Sequence, residues 1–185
     1  MLPFLRRSDP YMLTVSMTGV KLADRIAQIG CADGGQLAAV AGKVGLSGRA
    51  VAIVPDEASA ERARKGAARE GVLIELEVAP PTRLPAALAA FDLVVVDDTG
   101  GLFTTMAADD RVSAVREIFR ILRPAGRVLV IGAVPRGGLG ALLTGARPVA
   151  RFDPTASLQA DGFKAVRTLA ERDGLIFVEG MKPKT

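Results

Sequence analysis

From residue 24 to the C-terminus, apolar β-type segments alternate with segments rich in Ala, Arg and Glu. No other feature restricts the fold as strongly, because strand-length apolar runs separated by helical segments are the pattern of a parallel sheet covered by helices. The expected strands are Arg25–Ile29, Ala50–Val54, Val72–Val78, Phe91–Val96, Arg127–Gly132, Lys164–Ala170 and Leu175–Glu179. Within Phe91–Val96, Leu93–Val96 is apolar at every position, as a strand covered on both faces should be. Between them, Leu37, Val40, Ala41 and Val44 share one face of a helix that Gly45 and Gly48 end. Asp56-Glu57 opens an Ala/Arg-rich helix, Ala58–Glu70, that Gly71 closes, with acidic residues at its positive end. Its Arg62, Arg64, Lys65 and Arg69 read as a solvated outer face. Another helix is expected over Arg111–Leu122 and a short one around Ser157–Ala160. Asp9-Pro10 reads as a cap and first residue of a short helix that stops near Gly19. Glu171-Arg172-Asp173-Gly174 is a hairpin connection, so the last two strands are expected to be antiparallel neighbours. Pro80-Pro81 marks a loop, and the glycine-rich tract Gly137–Gly145 has no readable element.

Composition excludes several kinds of function. The 185 residues contain no His, which removes His-based triads, His-ligated metals and a histidine base together. Apolar runs such as Leu93–Val96 and Val128–Ile131 are far short of the roughly 18 residues that a membrane span needs. Met1–Leu5 precedes Arg6-Arg7 and is not followed by a cleavage site, so no export signal is visible. The single cysteine, Cys31, cannot form an internal disulfide, and a cytoplasmic location is expected. Net charge is +4 with dispersed basic residues, and aromatics at 4% are too sparse to stack bases, which argues against nucleic acid.

Gly30-Cys31-Ala32-Asp33-Gly34-Gly35 connects the first strand to the first long helix, the position where α/β sheets bind nucleotides. Four further segments extend the pattern: Gly19–Ile26, Phe91–Val96, Glu117–Arg127 with its Arg-x-Leu-Arg-Pro-x-Gly-Arg run, and Leu158–Phe163 with Ala-x-Gly-Phe. Together these resemble the class I S-adenosylmethionine-dependent methyltransferases that act on small molecules. The resemblance implies an α/β, Rossmann-like fold: a seven-stranded, mostly parallel sheet in the order 3-2-1-4-5-7-6, strand 7 antiparallel, with helices on both faces. Residues 1–185 are expected to form one methyltransferase-like domain, with 1–19 as an N-terminal arm and helix. The cofactor implied is S-adenosylmethionine, and the partner a small-molecule substrate. Met1–Leu5 is a candidate arm for docking on a second subunit, in a homodimer, or on a partner protein.

By the same resemblance, Gln28, Gly30, Cys31, Ala32, Asp33 and Gly34 are the candidate cofactor turn. Gln28 stands where the family has an acidic residue, and Ala32 replaces the middle glycine. Val54 occupies the position of the acid that holds the ribose hydroxyls, with Asp56 as its substitute in a shifted register, and Pro80 takes the place of an aspartate near the adenine. A hydrogen bond to a charged group contributes about 1.5–3 kcal/mol, and each 1.4 kcal/mol is about tenfold in affinity. Loss of the ribose carboxylate therefore weakens a micromolar cofactor to roughly 10–100 micromolar. Asp97 and Asp98, at the exit of the fourth strand, are the candidates for orienting or deprotonating a substrate. No metal site is expected, since the aspartate pair lacks a third ligand. Gly30, Val54, Asp97 and Gly132 should border the main pocket. Three functions are consistent with this pattern: a methyltransferase, a non-catalytic methyltransferase-like binding or scaffolding protein, and, least well matched, a nicotinamide-dependent dehydrogenase.

Overall fold

The computed structural model describes residues 11–134 and 152–185. The Asp9-Pro10 cap and the Gly137–Gly145 tract lie outside the described residues. Helix α1 (Met12–Thr18) leads to β1 (Arg25–Ile29), α2 (Gly34–Val44), β2 (Arg49–Val54), α3 (Glu57–Glu70) and β3 (Glu75–Val78). Then follow β4 (Phe91–Asp98), α4 (Ala108–Ile121), β5 (Leu122–Ala133), α5 (Pro154–Ala160), β6 (Lys164–Arg172) and β7 (Leu175–Met181). No helix among the described residues is long and apolar enough to cross a membrane.

The described strands form one seven-stranded sheet ordered β3-β2-β1-β4-β5-β7-β6, with β7 antiparallel to both neighbours. Val94, Val96, Val128 and Val130 face Ile118 and Ile121 of α4 and Leu158 of α5. Ile26, Leu93, Val95, Leu129 and Ile131 face Val40, Ala41 and Val44 of α2, with Leu13 and Met17 of α1 packed alongside. Helices thus cover both faces, and the alternating partners explain why Leu93–Val96 and Val128–Ile131 are apolar at every position. Asp173 (φ 57°) and Gly174 (φ 78°) form the two-residue turn between β6 and β7, the paired left-handed conformation that matches strand twist.

Several boundaries differ from the sequence reading. β3 is shorter than Val72–Val78, because the Val72 N–H goes back to the Ala67 carbonyl (3.0 Å) to close α3. β4 runs on through Asp97 and Asp98, which pair with Ile131 and Gly132. α4 begins at Ala108 and ends at Ile121, where the backbone becomes extended at Leu122 (φ −72°, ψ 136°). The Arg123–Gly126 turn is a bulge inside β5, since Phe91 pairs with Leu122 while Leu93 pairs with Arg127. Glu117 and Arg120 of α4 fasten the loop after β3. Glu117 accepts the Leu84 N–H at 2.8 Å, and Arg120 donates to the Ala86 and Leu84 carbonyls at 2.8 and 3.0 Å.

Candidate functional site

At the carboxyl edge of the sheet, Gly30 turns the chain out of β1 with φ 83°. A Cβ there would lie 2.8 Å from the Asp97 carbonyl oxygen, so both conformation and space require glycine. Asp33 caps α2. Its carboxylate accepts the Gly35 N–H at 2.8 Å and the Tyr11 hydroxyl at 2.7 Å. Gly34 touches α3: a Cβ on it would meet the Arg62 carbonyl oxygen at 2.1 Å, and one on Gly66 would meet the Gly34 carbonyl oxygen at 2.1 Å. These two glycines let α2 and α3 pack backbone to backbone.

The β4 exit is tied to this turn. Asp97 Oδ2 accepts the Ala32 N–H at 2.9 Å, while its Oδ1 accepts the Thr99 N–H at 3.1 Å and the Thr99 hydroxyl at 2.5 Å. Asp98 is spent in the same way: Oδ1 accepts the Phe103 and Thr104 N–H groups at 2.6 and 3.2 Å, and Oδ2 accepts the Thr104 hydroxyl at 2.7 Å. Each carboxylate thus organises the loop that follows it.

Cys31 is buried, and burial, with the nearby Asp97 charge adding to it, pushes its thiol up to about 11. Its carbonyl accepts Arg62 Nε at 3.0 Å, and Arg62 Nη2 reaches Ser59 Oγ at 2.7 Å. Gln28 is fully buried and donates to the Gly30 carbonyl at 3.2 Å. Its Oε1, like Nε2 of Gln36 on α2, is buried without a hydrogen-bond partner among the described residues. Val54 is 0% exposed, packed with Leu37, Ala52, Ala60 and Ala63 between β2, α2 and α3. Asp56 caps α3 by accepting the Ser59 N–H at 2.7 Å, and that bond holds its carboxyl below the usual range, ionised at neutral pH.

One cavity of about 180 Å³ gathers Gly30, Cys31, Ala32, Asp56, Arg62 and Asp97, together with Ser59, Gly100 and Leu102. A second, also about 180 Å³, is lined by Asp98, Val130, Gly132, Phe152 and Ile176. The expected single main pocket is therefore two small ones. Gly30 and Asp97 border the first, Gly132 borders the second, and Val54 borders neither because its side chain is sealed in the helix-sheet core. Larger cavities, of about 520 and 590 Å³, lie elsewhere on the molecule. Ser59 and Leu102 carry no motif that marks them as site residues, and Arg62, which reads in the sequence as part of a solvated helix face, lines the cavity instead. For Arg62 the only signal in the sequence was its spacing of three from Ser59 on a helix whose other basic residues pair with Glu57, Glu61 and Glu70.

The sheet order, the antiparallel seventh strand and the glycine turn at its carboxyl edge define the class I methyltransferase architecture. The methyltransferase-domain family model matches residues 26–126, more than half of the chain, and the chain belongs to that family. Among solved structures it is similar to an S-adenosylmethionine-dependent methyltransferase from Aquifex aeolicus, at 17% identity and TM-score 0.73, over 93% of this chain and 89% of that one. The YcgJ protein of Bacillus subtilis matches at 14% identity and TM-score 0.69, over 95% and 98% of the two chains. The [4+2]-cyclase SpnF matches at 17% identity and TM-score 0.68, over 95% and 80%. No curated protein matches the sequence significantly.

Proposed function

We propose that this chain is an S-adenosylmethionine-dependent methyltransferase acting on a small molecule, with Asp56 in place of Val54 as the ribose contact. The observation that carries this reading is the meeting of an ionised Asp56 with Gly30, Cys31 and Ala32 on the wall of one cavity at the carboxyl edge. The donor set suits the group: the turn Gly30–Asp33 offers backbone to the methionine portion, Asp56 offers a carboxylate to the ribose hydroxyls, and the orphaned Gln28 Oε1 is an unspent acceptor beside the turn. A volume of about 180 Å³ is below the ~300 Å³ at which small-molecule pockets begin, so this reading requires the cleft to widen on binding. Arg62 is the movable wall in this reading, because its exposed side chain closes the cleft through hydrogen bonds to the Cys31 carbonyl and Ser59 and lies close enough to Asp56 to interact with its charge.

S-adenosylmethionine brings an electrophilic methyl group, so the chain's task is to hold an acceptor in line with it. Asp97 and Asp98 serve as positioning residues: their carboxylates fix the glycine turn and the 99–104 loop. The neighbouring cavity with Val130, Phe152 and Ile176 is suited to a substrate with an apolar body whose acceptor atom needs no strong base. The test is incubation with methyl-labelled S-adenosylmethionine and a panel of small apolar nucleophiles. Label in product supports the reading, and a folded protein inactive on every member counts against it.

A second reading, a non-catalytic methyltransferase-like binding or scaffolding protein, is favoured by the burial of Val54 and by the Ala32–Asp97 bond that spans the cleft. It requires that the folded protein bind no S-adenosylmethionine at all.

A further inference from the structure

We propose that the amino-terminal edge of the sheet carries a second site, which binds the phosphate group of a small ligand. A cavity of about 520 Å³ opens there, at the end opposite Gly30, bounded by the start of β4, the bulge of β5 and the start of β6. That volume falls within the ~300–1,000 Å³ of small-molecule pockets.

Backbone irregularity concentrates around this cavity. The β5 bulge places Ala125 at φ 60°, and a register shift in β6 between Lys164 and Arg167 places Ala165 at φ 50°. Ala23, between the lining residues Lys21 and Asp24, has φ 68°. Alanine has no side-chain hydrogen bond to offset a left-handed backbone, so each of these is held there by its surroundings. A bulge re-aims the side chains beside it, and these two deliver Arg123, Arg127 and Arg167 to the cavity wall.

The wall carries four cations, Lys21, Arg123, Arg127 and Arg167, against three carboxylates, Asp24, Asp92 and Glu179. Each of the three carboxylates accepts at least one hydrogen bond, and two of them pair with arginines. Asp24 accepts the Lys21 N–H at 2.8 Å, Asp92 takes the Arg25 N–H at 2.7 Å and the Arg123 side chain, and buried Glu179 takes Arg127 at 3.2 Å and Arg167 at 2.7 Å. The cations are not used up. A guanidinium has five N–H donors, of which Arg127 and Arg167 each commit one to these pairs, and the Lys21 ammonium has no partner among the described residues. Surplus forked donors around a cavity are the complement of a tetrahedral oxyanion. Leu93 and Met181 give the rest of such a ligand an apolar wall. No aromatic residue is among the described residues that line the cavity, so it lacks an aromatic stacking platform, which favours a small phosphorylated molecule over a nucleic-acid backbone.

The experiment is calorimetric titration of the full chain with inorganic phosphate, ionic strength being held constant with sodium chloride. Saturable binding is expected, weakened about tenfold by Lys21→Gln and by Arg123→Gln, both of which leave Glu179 paired, and unchanged by Arg64→Gln on α3. Phosphate binding that does not saturate, or that ignores Lys21→Gln and Arg123→Gln while both variants melt like the wild type, overturns the site. A short single-stranded RNA that binds through the same residues and displaces phosphate overturns the small-ligand assignment. The titration reads the opposite edge from the S-adenosylmethionine cleft, so Asp56→Ser leaves it unchanged, and the two proposals fail separately.

Discussion

The Asp97 carboxylate accepts the Ala32 N–H at 2.9 Å, joining the end of β4 to the turn after β1 across the cleft of the sheet. Asp97 is 1% exposed and accepts three hydrogen bonds in all, so it works as the keystone of two loops. Asp97→Ala is expected to lower unfolding stability by about 2–4 kcal/mol, since it strands the donors of Ala32 and Thr99. Urea unfolding measures it. A variant as stable as the wild type but inactive would instead make Asp97 a group acting on substrate.

Gly34 and Gly66 set the distance between α2 and α3. Gly34→Ala drives a methyl into the Arg62 carbonyl, 2.1 Å away, and the helices must separate to take it. The expected cost is about 2 kcal/mol or more, read as a fall in melting temperature. Because the same shift moves Arg62 relative to Cys31, S-adenosylmethionine affinity should change as well.

Val54→Asp, which would restore the family's ribose carboxylate, is expected to fail. The side chain lies among Leu37, Ala52, Ala60 and Ala63 rather than on the cavity wall, so the introduced carboxylate is buried without a partner. Thermal unfolding should show a loss of several kcal/mol with no gain in cofactor affinity. Tighter binding at unchanged stability would mean that β2 presents this position to the ligand.

Glu117 titrates below the ordinary carboxylate range because Arg120 hydrogen-bonds it, and Glu75 does so because of Arg49. A carboxyl whose folded pKa is depressed contributes stability above its unfolded pKa, about 4.3, and loses it as pH falls through the lower folded value. Stability should therefore decline below about pH 4.5. Glu117→Gln, by loosening Leu84 and Arg120, should lower stability at neutral pH and flatten the acid limb in pH-dependent unfolding.

Much of this fold was legible because periodicity reports burial directly. β1 follows from its apolar residues, the ends of α2 and α3 from Gly45 and Gly71, and the start of α3 from Asp56-Glu57, whereas the capping of α2 by Asp33 emerges only in the structure. Ends set by long-range hydrogen bonds were not legible. Val72 looks like strand but closes α3, and Asp97-Asp98 look like loop but pair with Ile131 and Gly132. The site was legible as a region only. That Val54 points into the core while Asp56, two residues on, reaches the cavity depends on how α2 and α3 sit on β2, which no local pattern records. Likewise, Arg62 reaches the Cys31 carbonyl from 31 residues away, a contact made by the Gly34–Gly66 helix crossing rather than by any motif.

In the proposed function, Asp56 holds S-adenosylmethionine at the carboxyl edge of the sheet. Calorimetric titration with S-adenosylmethionine and S-adenosylhomocysteine, on the wild type and on Asp56→Ser, tests it most directly. Serine preserves the cap of α3, so stability should stay nearly constant while the carboxylate is lost. Saturable wild-type binding is expected at roughly 10–100 micromolar, weakened about tenfold or more in Asp56→Ser. A folded wild type that shows no binding up to about 1 millimolar, or an Asp56→Ser variant that binds as well as the wild type, would contradict it.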